Sequence, residues 1–572
     1  MSLITEIKSE GQTLTRCEDI ANAFNNYLIN VSRTNNNIIN TYKDNISNSI
    51  FIRPCSTNEI LKIIMSLKNT NAVGFDEIPT KVVKFCCREF APILTHLINL
   101  SFINGTFPTV LKQSIVKPLY KKGDKTLISN YRPIAILSIF SKIFETAIHT
   151  RLMEFVTKNS IIKQEQYGFQ KGKSTSMACF QIVSKIMDIL DSKKRAVGIF
   201  FDMTKAFDFV SHRLLLEKLE KYGIRGPALM WLTTYLKDRK QCVSITGLNK
   251  CNELIDFKSK YKTNEYGVPQ GSVLGPLLFL LYINDLPQVT NKPCILFADD
   301  ISVLTTFTND IKNEIIDVNI TIDKIIEWLN NNNLSVNLKK TVYVQFLTRN
   351  SITSKLDLKY KDETITEADQ VTFLGIKMDK YCDWKSHVNH VCSKINKFVY
   401  VLHRLRKTSR VDTLKTAYHG HVSSVLRYGL LIWGNSTDSI KAFVVQKKCV
   451  RAICGKAPWI SCKPLFKKLG ILTLPSMYIF ELAYFLKTNQ NLFAKAVDIY
   501  PRNTRNPDRI VLPRIPRTEL YKRNCYAMCG TVYNALPIFL KKLPVNKFKY
   551  ELKKWLIEKC YYSIDEFLTD MK

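Results

Sequence analysis

Two adjacent carboxylates, Asp299 and Asp300, stand between apolar runs, Cys294-Ile-Leu-Phe-Ala298 before them and Ile301-Ser-Val-Leu304 after. Each flank reads as a short buried strand, with the acids at the turn between them. Two such charges between buried strands are costly unless something offsets their repulsion and desolvation. A hard divalent cation with oxygen ligands does so, and Mg²⁺ typically takes one or two carboxylates together with substrate phosphates. An ordinary hairpin turn is the bland alternative. A third acid, Asp202, ends the apolar strand Ala196-Val-Gly-Ile-Phe-Phe201, and Lys205-Ala-Phe-Asp208 turns from it into a helix through Leu216 and Leu219. A carboxylate at a strand's end is a sound place for a second metal ligand. Its bland reading is a cap on the helix that follows.

Phosphate-binding chemistry is suggested at a second place. Ser114 to Gly123 reads as a strand entering a basic turn, and Asn130-Tyr-Arg-Pro-Ile134 returns from it. Lys117, Lys121, Lys122, Lys125 and Arg132 therefore lie on neighbouring extended segments, able to hold a triphosphate by point charges and an Arg fork. Gln166-Tyr-Gly-Phe-Gln-Lys-Gly-Lys-Ser-Thr175 invites confusion with a nucleotide-hydrolase loop. Gly168 and Gly172 lack the four-residue separation that such a loop needs, which excludes that class. Gly267-Val-Pro-Gln-Gly-Ser-Val-Leu-Gly-Pro276 marks a backbone that turns closely and leaves room for something.

These residues must be positioned by the elements around them. Helical spacing runs over Ile20 to Val31, from Thr57 through Leu67, over Lys81 to Ile103, Ser141 to Val156, Met177 to Leu190, Leu277 to Leu286 and Ile311 to Asn330. Leu334 to Phe346 reads as a loop and strand, and Val371 to Ile376 as another short strand. Strand, helix, helix, hairpin, helix, strand from Ala196 onward suits an antiparallel sheet with helices on one face. Ser32 to Asn48 and Pro501 to Arg517 read as linkers. From Trp384 the chain is helical and basic, with Tyr418, Tyr428 and Trp433 interleaved among cations. That mixture suits a nucleic-acid backbone and stacked bases, although core packing is the commoner fate of each aromatic. Tyr521 to Lys572 reads as a small helical terminal unit.

Lys plus Arg outnumber Asp plus Glu by 83 to 49, a net charge of +34, which implies a polyanionic partner, nucleic acid before membrane. A chain of 572 residues exceeds one core and suggests about three or four domains. The 16 cysteines form no Cys-x-x-Cys pair, so free thiols in a reducing compartment are expected. Cys382, His387, His390 and Cys392 are better read as one helix face plus a chance cysteine than as a metal site. No opening signal peptide and no apolar run of membrane length are present, which places the protein in the nucleus and cytoplasm.

Seven stretches stand in a telling order: Tyr131-Arg-Pro-Ile134, Gln166-Tyr-Gly-Phe169, Phe201-Asp-Met-Thr-Lys-Ala-Phe-Asp208, Gly267 to Pro276, Phe297-Ala-Asp-Asp300, Asn337-Leu-Lys-Lys-Thr341 and Phe373-Leu-Gly-Ile376. Together they resemble the reverse transcriptase of non-LTR (LINE-type) retrotransposons, most closely the jockey-like group. Arg427-Tyr-Gly429, Trp433-Gly434 and Asn534-Ala-Leu-Pro537 resemble that family's thumb and tail.

The resemblance implies an α+β right-hand polymerase with fingers, an antiparallel-sheet palm and a helical thumb, plus a helical C-terminal extension. It divides the chain into an N-terminal helical extension (1–110), fingers and palm (111–378), a thumb (379–460) and a basic C-terminal region (461–572). It implies copying of RNA into DNA by two-metal nucleotidyl transfer, with two Mg²⁺ ions for which Mn²⁺ substitutes. Asp202, Asp299 and Asp300 would hold the metals. Lys121 and Arg132 would grip the triphosphate, and Phe207 would exclude a 2′-hydroxyl. Gln270 and Gly271 would line template and incoming nucleotide, and Lys340 would protonate the departing pyrophosphate. The partners implied are an RNA template, a DNA primer or target DNA and dNTPs, with no membrane. Family members usually carry an endonuclease ahead of the polymerase, and none is expected here. The competing reading is a domesticated or remnant retroelement protein that binds nucleic acid without catalysis. A viral RNA-dependent RNA polymerase is disfavoured, because Phe207 would clash with a ribonucleotide.

Overall fold

The computed structural model describes residues 4–9, 11–30, 45–249, 251–308, 311–349, 351, 355–499, 508–512 and 516–571. Most of the Ser32 to Asn48 linker and parts of the Pro501 to Arg517 linker lie outside these described residues. The chain forms two compact units. One comprises Met1–Lys171, Phe201–Ile301 and Asn319–Lys340; the other comprises Gly172–Phe200, Ser302–Val318 and Thr341–Lys572.

In the first unit, a buried run over Ser114, Ile115 and Val116 and alternating burial along Tyr131–Leu137 build the basic hairpin read from the sequence. The two strands pair antiparallel with Leu119 opposite Arg132. Gln113–Val116 also pairs parallel with Lys240–Val243 of the strand Arg239–Leu248. Helix Cys17–Asn30 packs its Ile20, Ala21 and Phe24 face onto Val116, Tyr131, Ala135 and Val243 of this sheet. Buried Asn25 is satisfied there, donating to the Lys260 carbonyl at 2.8 Å and accepting from Gln241 at 3.2 Å. The helices Thr57–Ser66, Cys87–Ile103 and Ile139–Lys158 belong to the same unit. The expected Lys81 to Ile103 helix is in fact two, Thr80–Phe85 and Cys87–Ile103, because Cys86 leaves helical geometry.

Two buried charge clusters hold the first unit. The Arg151 guanidinium donates to Glu59 Oε2 at 3.0 Å and to the carbonyls of Arg53, Pro54 and Ala147 at 2.9, 3.0 and 3.0 Å. One side chain thus ties an extended segment to two helices. Lys218 reaches Asp285 and the Tyr282 carbonyl, each at 2.6 Å, and Trp328 donates to the other Asp285 oxygen at 3.2 Å. Helix His212–Lys221 is capped by Ser211, so Asp202 is not its cap.

In the second unit, Val342–Phe346 runs antiparallel to the strand at 195–201, with Val344 opposite Gly198, and parallel to Thr366–Glu367. The expected single strand Val371 to Ile376 is a hairpin, Gln370–Phe373 with Ile376–Asp379, because Leu374 and Gly375 both take positive φ, 45° and 81°. Long helices follow, among them Lys385–Leu405, Ser439–Cys454, Leu474–Thr488 and Val545–Lys559. The terminal helices Cys525–Ala535 and Val545–Lys559 pack on Leu474–Thr488. Tyr418 and Trp433 are core residues, fully buried. Tyr428 is partly exposed, and its hydroxyl donates to the Leu374 carbonyl. His387 is buried against the Trp433 ring and accepts from the Lys377 amide at 3.3 Å, and burial pushes it down to about 4. Among the described residues no three acidic, histidine or cysteine side chains gather into a metal shell, here or elsewhere. No single described helix is both long and apolar enough to cross a membrane.

Arg151→Met is expected to cost about 3–5 kcal/mol, because it strands Glu59 and three carbonyls together. Thermal melts of the variant read this as a large drop in Tm. The hydrogen bond from Arg151 holds the Glu59 carboxyl below its ordinary value. The stabilisation is therefore complete above the unfolded value of about 4.3 and fades as pH falls through the lower folded value. The gap between parent and variant should narrow at the acid end of that range without closing, because the three carbonyls lose their donor at every pH.

Candidate active site

The turn at Asp299 is built by a neighbouring motif rather than by its own residues. Strand Cys294–Phe297 is followed by Ala298 in the left-handed region, φ 53°. Gln166 holds this backbone: its Oε1 accepts from the amides of Ala298 at 2.9 Å and Gly168 at 2.8 Å. Tyr167 donates to the Leu296 carbonyl at 2.8 Å, and Leu296 donates to that of Glu165 at 2.9 Å. A Cβ on Gly168 would stand 2.5 Å from the Ala298 amide nitrogen. Glycine is therefore demanded by close backbone approach, not by phosphate binding.

Asp202 is brought in by a different pairing. Met203–Thr204 pairs antiparallel with Ser335–Val336, and the Asn337 amide donates to the Asp202 carbonyl at 2.8 Å. Lys340 returns over that turn, its amide bonded to the Asn337 carbonyl at 3.0 Å, and its ammonium lies 3.8 Å from Asp202 Oδ2. Asp300 registers the crowding. Desolvation first, then the charges of Asp299 and Asp202, push its carboxyl up to about 6, while Lys121 acts the other way. The three acids and Lys121 thus share one electrostatic neighbourhood. Lys121 closes the basic hairpin, its amide donating to the Asn130 carbonyl at 3.0 Å. Lys117, on the same hairpin, is committed to Asp256 at 2.8 Å.

Arg132, Gln270 and Gly271 form one connected wall. Arg132 Nε donates to Gln270 Oε1 at 3.0 Å, and Gln270 Nε2 donates to Asp208 Oδ1 at 2.9 Å. The Gln270 carbonyl accepts from the Ala135 amide at 2.8 Å. Gly271 sits at φ 130°, where a Cβ would lie 2.3 Å from the Ala135 oxygen, so no other residue fits. Asp208 received no role from the sequence beyond a turn, yet it is the buried end of this chain of bonds. Burial pushes it up to about 6 against the pull of Gln270, Lys205 and Arg132. Its only sequence signal was its place at the end of the Phe201 to Asp208 stretch.

Phe207 is 8% exposed and is sandwiched by aromatic contacts. It stacks on Phe279 at 4.3 Å and meets Phe169 edge-on at 6.4 Å. The Val268 amide fixes the Phe207 carbonyl at 2.9 Å. The helix that supports this face, Leu274–Tyr282, starts and ends earlier than the expected Leu277 to Leu286. Buried Glu145 accepts from the amides of Val273 and Leu274 at 2.7 and 3.2 Å, satisfying donors that a helix start leaves open.

The donor set suits a hard cation in chemistry, being carboxylate oxygens whose mutual repulsion a cation would relieve. No three such side chains among the described residues form a ready-made shell, so any coordination here would have to be completed by substrate phosphates.

Residues 119–378 match the reverse transcriptase (RNA-dependent DNA polymerase) family model. The chain is 28% identical to a probable RNA-directed DNA polymerase from transposon X-element of Drosophila melanogaster, over 74% of this chain and 46% of that one. It is 28% identical to the corresponding protein of transposon BS, over 74% and 47%. It is 26% identical to the RNA-directed DNA polymerase of mobile element jockey, over 72% and 45%. The chain therefore spans just under half the length of these curated relatives.

Asp300→Asn removes one of the crowded charges. At pH 7 without divalent cations it should melt above the parent, by roughly 1 kcal/mol once solvent screening of this exposed group is counted. The folded carboxyl at about 6 lies above the unfolded value of about 3.9. The parent is therefore unpenalised below the unfolded value and loses stability as pH rises through about 6. The variant's advantage should vanish near pH 4, and melts at the two pH values read it. Gly168→Ala should cost about 1–3 kcal/mol by the same assay, because the Ala298 backbone must shift.

Proposed function

We propose that the chain is a reverse transcriptase, the RNA-directed DNA polymerase of a non-LTR retrotransposon, a reading supported by the family model over residues 119–378 and by the transposon relatives. The reaction is attack of a primer 3′-hydroxyl on the α-phosphate of a deoxynucleotide, forming a phosphodiester and releasing pyrophosphate. The observation that carries this reading is the crowding at Asp300, which feels not only its neighbour Asp299 but also Asp202, far away in the chain.

Asp202, Asp299 and Asp300 would hold two Mg²⁺ ions, for which Mn²⁺ would substitute. When bound, the metals offset the charge on the attacking and leaving oxygens. The protein's own part is positioning and electrostatics, since phosphoryl transfer asks little covalent chemistry of it. Arg132 presents its fork to the triphosphate and keeps its aim through Gln270 and Asp208. Lys121 adds a point charge on the same hairpin. Phe207, locked by Phe279 and Phe169, lies under the sugar and rejects a 2′-hydroxyl by bulk. Gln270 and Gly271 bring backbone against template and incoming nucleotide. Lys340, kept near by Asp202, gives a proton to the departing pyrophosphate.

The fingers and palm of this reading are residues 111–378, preceded by an N-terminal helical extension (1–110) and followed by a thumb (379–460) and a basic C-terminal region (461–572). Its partners are an RNA template, a DNA primer or target DNA and dNTPs, met in nucleus and cytoplasm.

The test is primer extension on an RNA template with Mg²⁺ and dNTPs. The parent is expected to extend the primer and Asp299→Asn to lose about 100-fold or more in rate. Phe207→Val is expected to admit ribonucleotides that the parent refuses. An Asp299→Asn variant as fast as the parent would remove this reading.

A further inference from the structure

Of the aromatics interleaved with cations in the basic helical region, Tyr418 and Trp433 take the core position expected for each, and Tyr428 keeps 41% of its surface exposed. The Tyr428 hydroxyl is tied to the Leu374 carbonyl. The same region presents another aromatic. Of the chain's six tryptophans, Trp231, Trp328, Trp384 and Trp433 are buried and Trp555 is half-buried, whereas Trp459 is 82% exposed.

The local structure explains how that indole is held in water. Helix Ser439–Cys454 is stopped by Gly455 in the left-handed region, φ 61° and ψ 38°. Four residues then make a β-turn, Ala457-Pro-Trp-Ile460, closed by the Ile460 amide on the Ala457 carbonyl at 3.2 Å. Pro458 occupies the second position, where its ring pre-sets the backbone, and Trp459 the third. Arg451 Nε donates to the Ile460 carbonyl at 2.9 Å, bracing the turn against the helix's last turn. Buried Cys462 continues into helix Lys463–Leu469. The tip is therefore braced on both sides while its largest apolar side chain faces solvent. A single exposed apolar residue is ordinary. A bulky indole fixed on a proline turn has less freedom to lose on binding than one on a slack loop.

Basic groups crowd the turn, and the acid beside the following helix, Glu566, is taken up by Lys463 at 2.7 Å. The groups acting on Cys454, at the helix end, are Lys468, Arg406 and Lys456, and those acting on Cys462 are Arg451 and Lys447. No acid is among them. Arg406 lies against the turn's entry, its Nε 3.5 Å from where a Cβ on Gly455 would stand. Arg406, Lys456 and Lys468 are all exposed.

We propose that the Ala457–Ile460 turn is a binding site for single-stranded nucleic acid. Trp459 stacks on an unpaired base, and Arg406, Lys456 and Lys468 take the flanking phosphates. An anion with flat apolar faces is the partner that uses both features at once. A membrane surface is the weaker match, because one indole offers little apolar area to bury in an acyl layer. The site lies in the second unit, and it stands on exposure and charge rather than on polymerase chemistry. Primer extension tests that chemistry; the experiment below tests this turn.

The full chain is titrated with short oligo(U) and oligo(dT), without dNTPs, while the acrylamide-quenchable part of its tryptophan emission is followed. In the parent, oligonucleotide should shield most of that part. Trp459→Ala, at a position too exposed to endanger folding, should lack it and bind about tenfold more weakly. Trp459→Phe should keep most of the affinity. An abasic strand of equal length should bind parent and Trp459→Ala alike, because it offers phosphates without bases. The salt dependence should be the same in both proteins, since the number of neutralised phosphates is unchanged. The proposal is overturned if saturating oligonucleotide leaves the exposed emission open to acrylamide, or if Trp459→Ala binds like the parent. It is equally overturned if the substitution removes binding to anionic vesicles and leaves oligonucleotide binding intact.

Discussion

Repulsion among Asp202, Asp299 and Asp300 is the constraint around which the first unit is arranged. Left to themselves, three carboxylates would separate into water. Here each is prevented by a backbone contact made elsewhere. Gln166 clamps the Ala298 amide, and Asn337 clamps the Asp202 carbonyl. The raised carboxyl of Asp300 reflects its desolvation first and this crowding second. A site built this way is less stable than its neutral counterpart, the common condition of sites that await a charged ligand.

The second feature of the first unit is that its polar wall is serial. Arg132 is aimed by Gln270, and Gln270 is oriented by Asp208. An amide side chain with its oxygen toward a guanidinium and its nitrogen toward a carboxylate has one sensible flip. Glycines at 168 and 271 permit the backbone approaches that bring the segments into bonding range, since a Cβ at either would sit 2.5 Å or less from a backbone atom. Aromatic stacking then fixes Phe207 against Phe279, so the face that meets a sugar is rigid before any ligand arrives.

The second unit uses most of its aromatics for its own core. Basic helices rich in Tyr and Trp bury most of those rings to make their own core, as Tyr418 does by accepting from Gln446 at 2.9 Å. The ring left outside is the one on a proline turn between two helices. Helical periodicity cannot flag it, because a turn residue has no helical face.

Much was legible in the residues alone. Alternation and apolar runs announced the strands at 113–120, 195–201 and 294–297, and ordered motifs announced the acids, because strand period and charge are written locally. The break at Cys86 and the hairpin at Leu374-Gly375 were not legible, since both depend on a few dihedral angles that tertiary packing selects. Nor was the work of Gln166, Gly168 and Asp208 as scaffold, or the solvent position of Trp459. Composition and spacing determined which side chains are present and in what order along the chain. Only the folded structure decided which of them share a neighbourhood, because a hydrogen bond between residues 166 and 298 leaves no periodic trace in either segment.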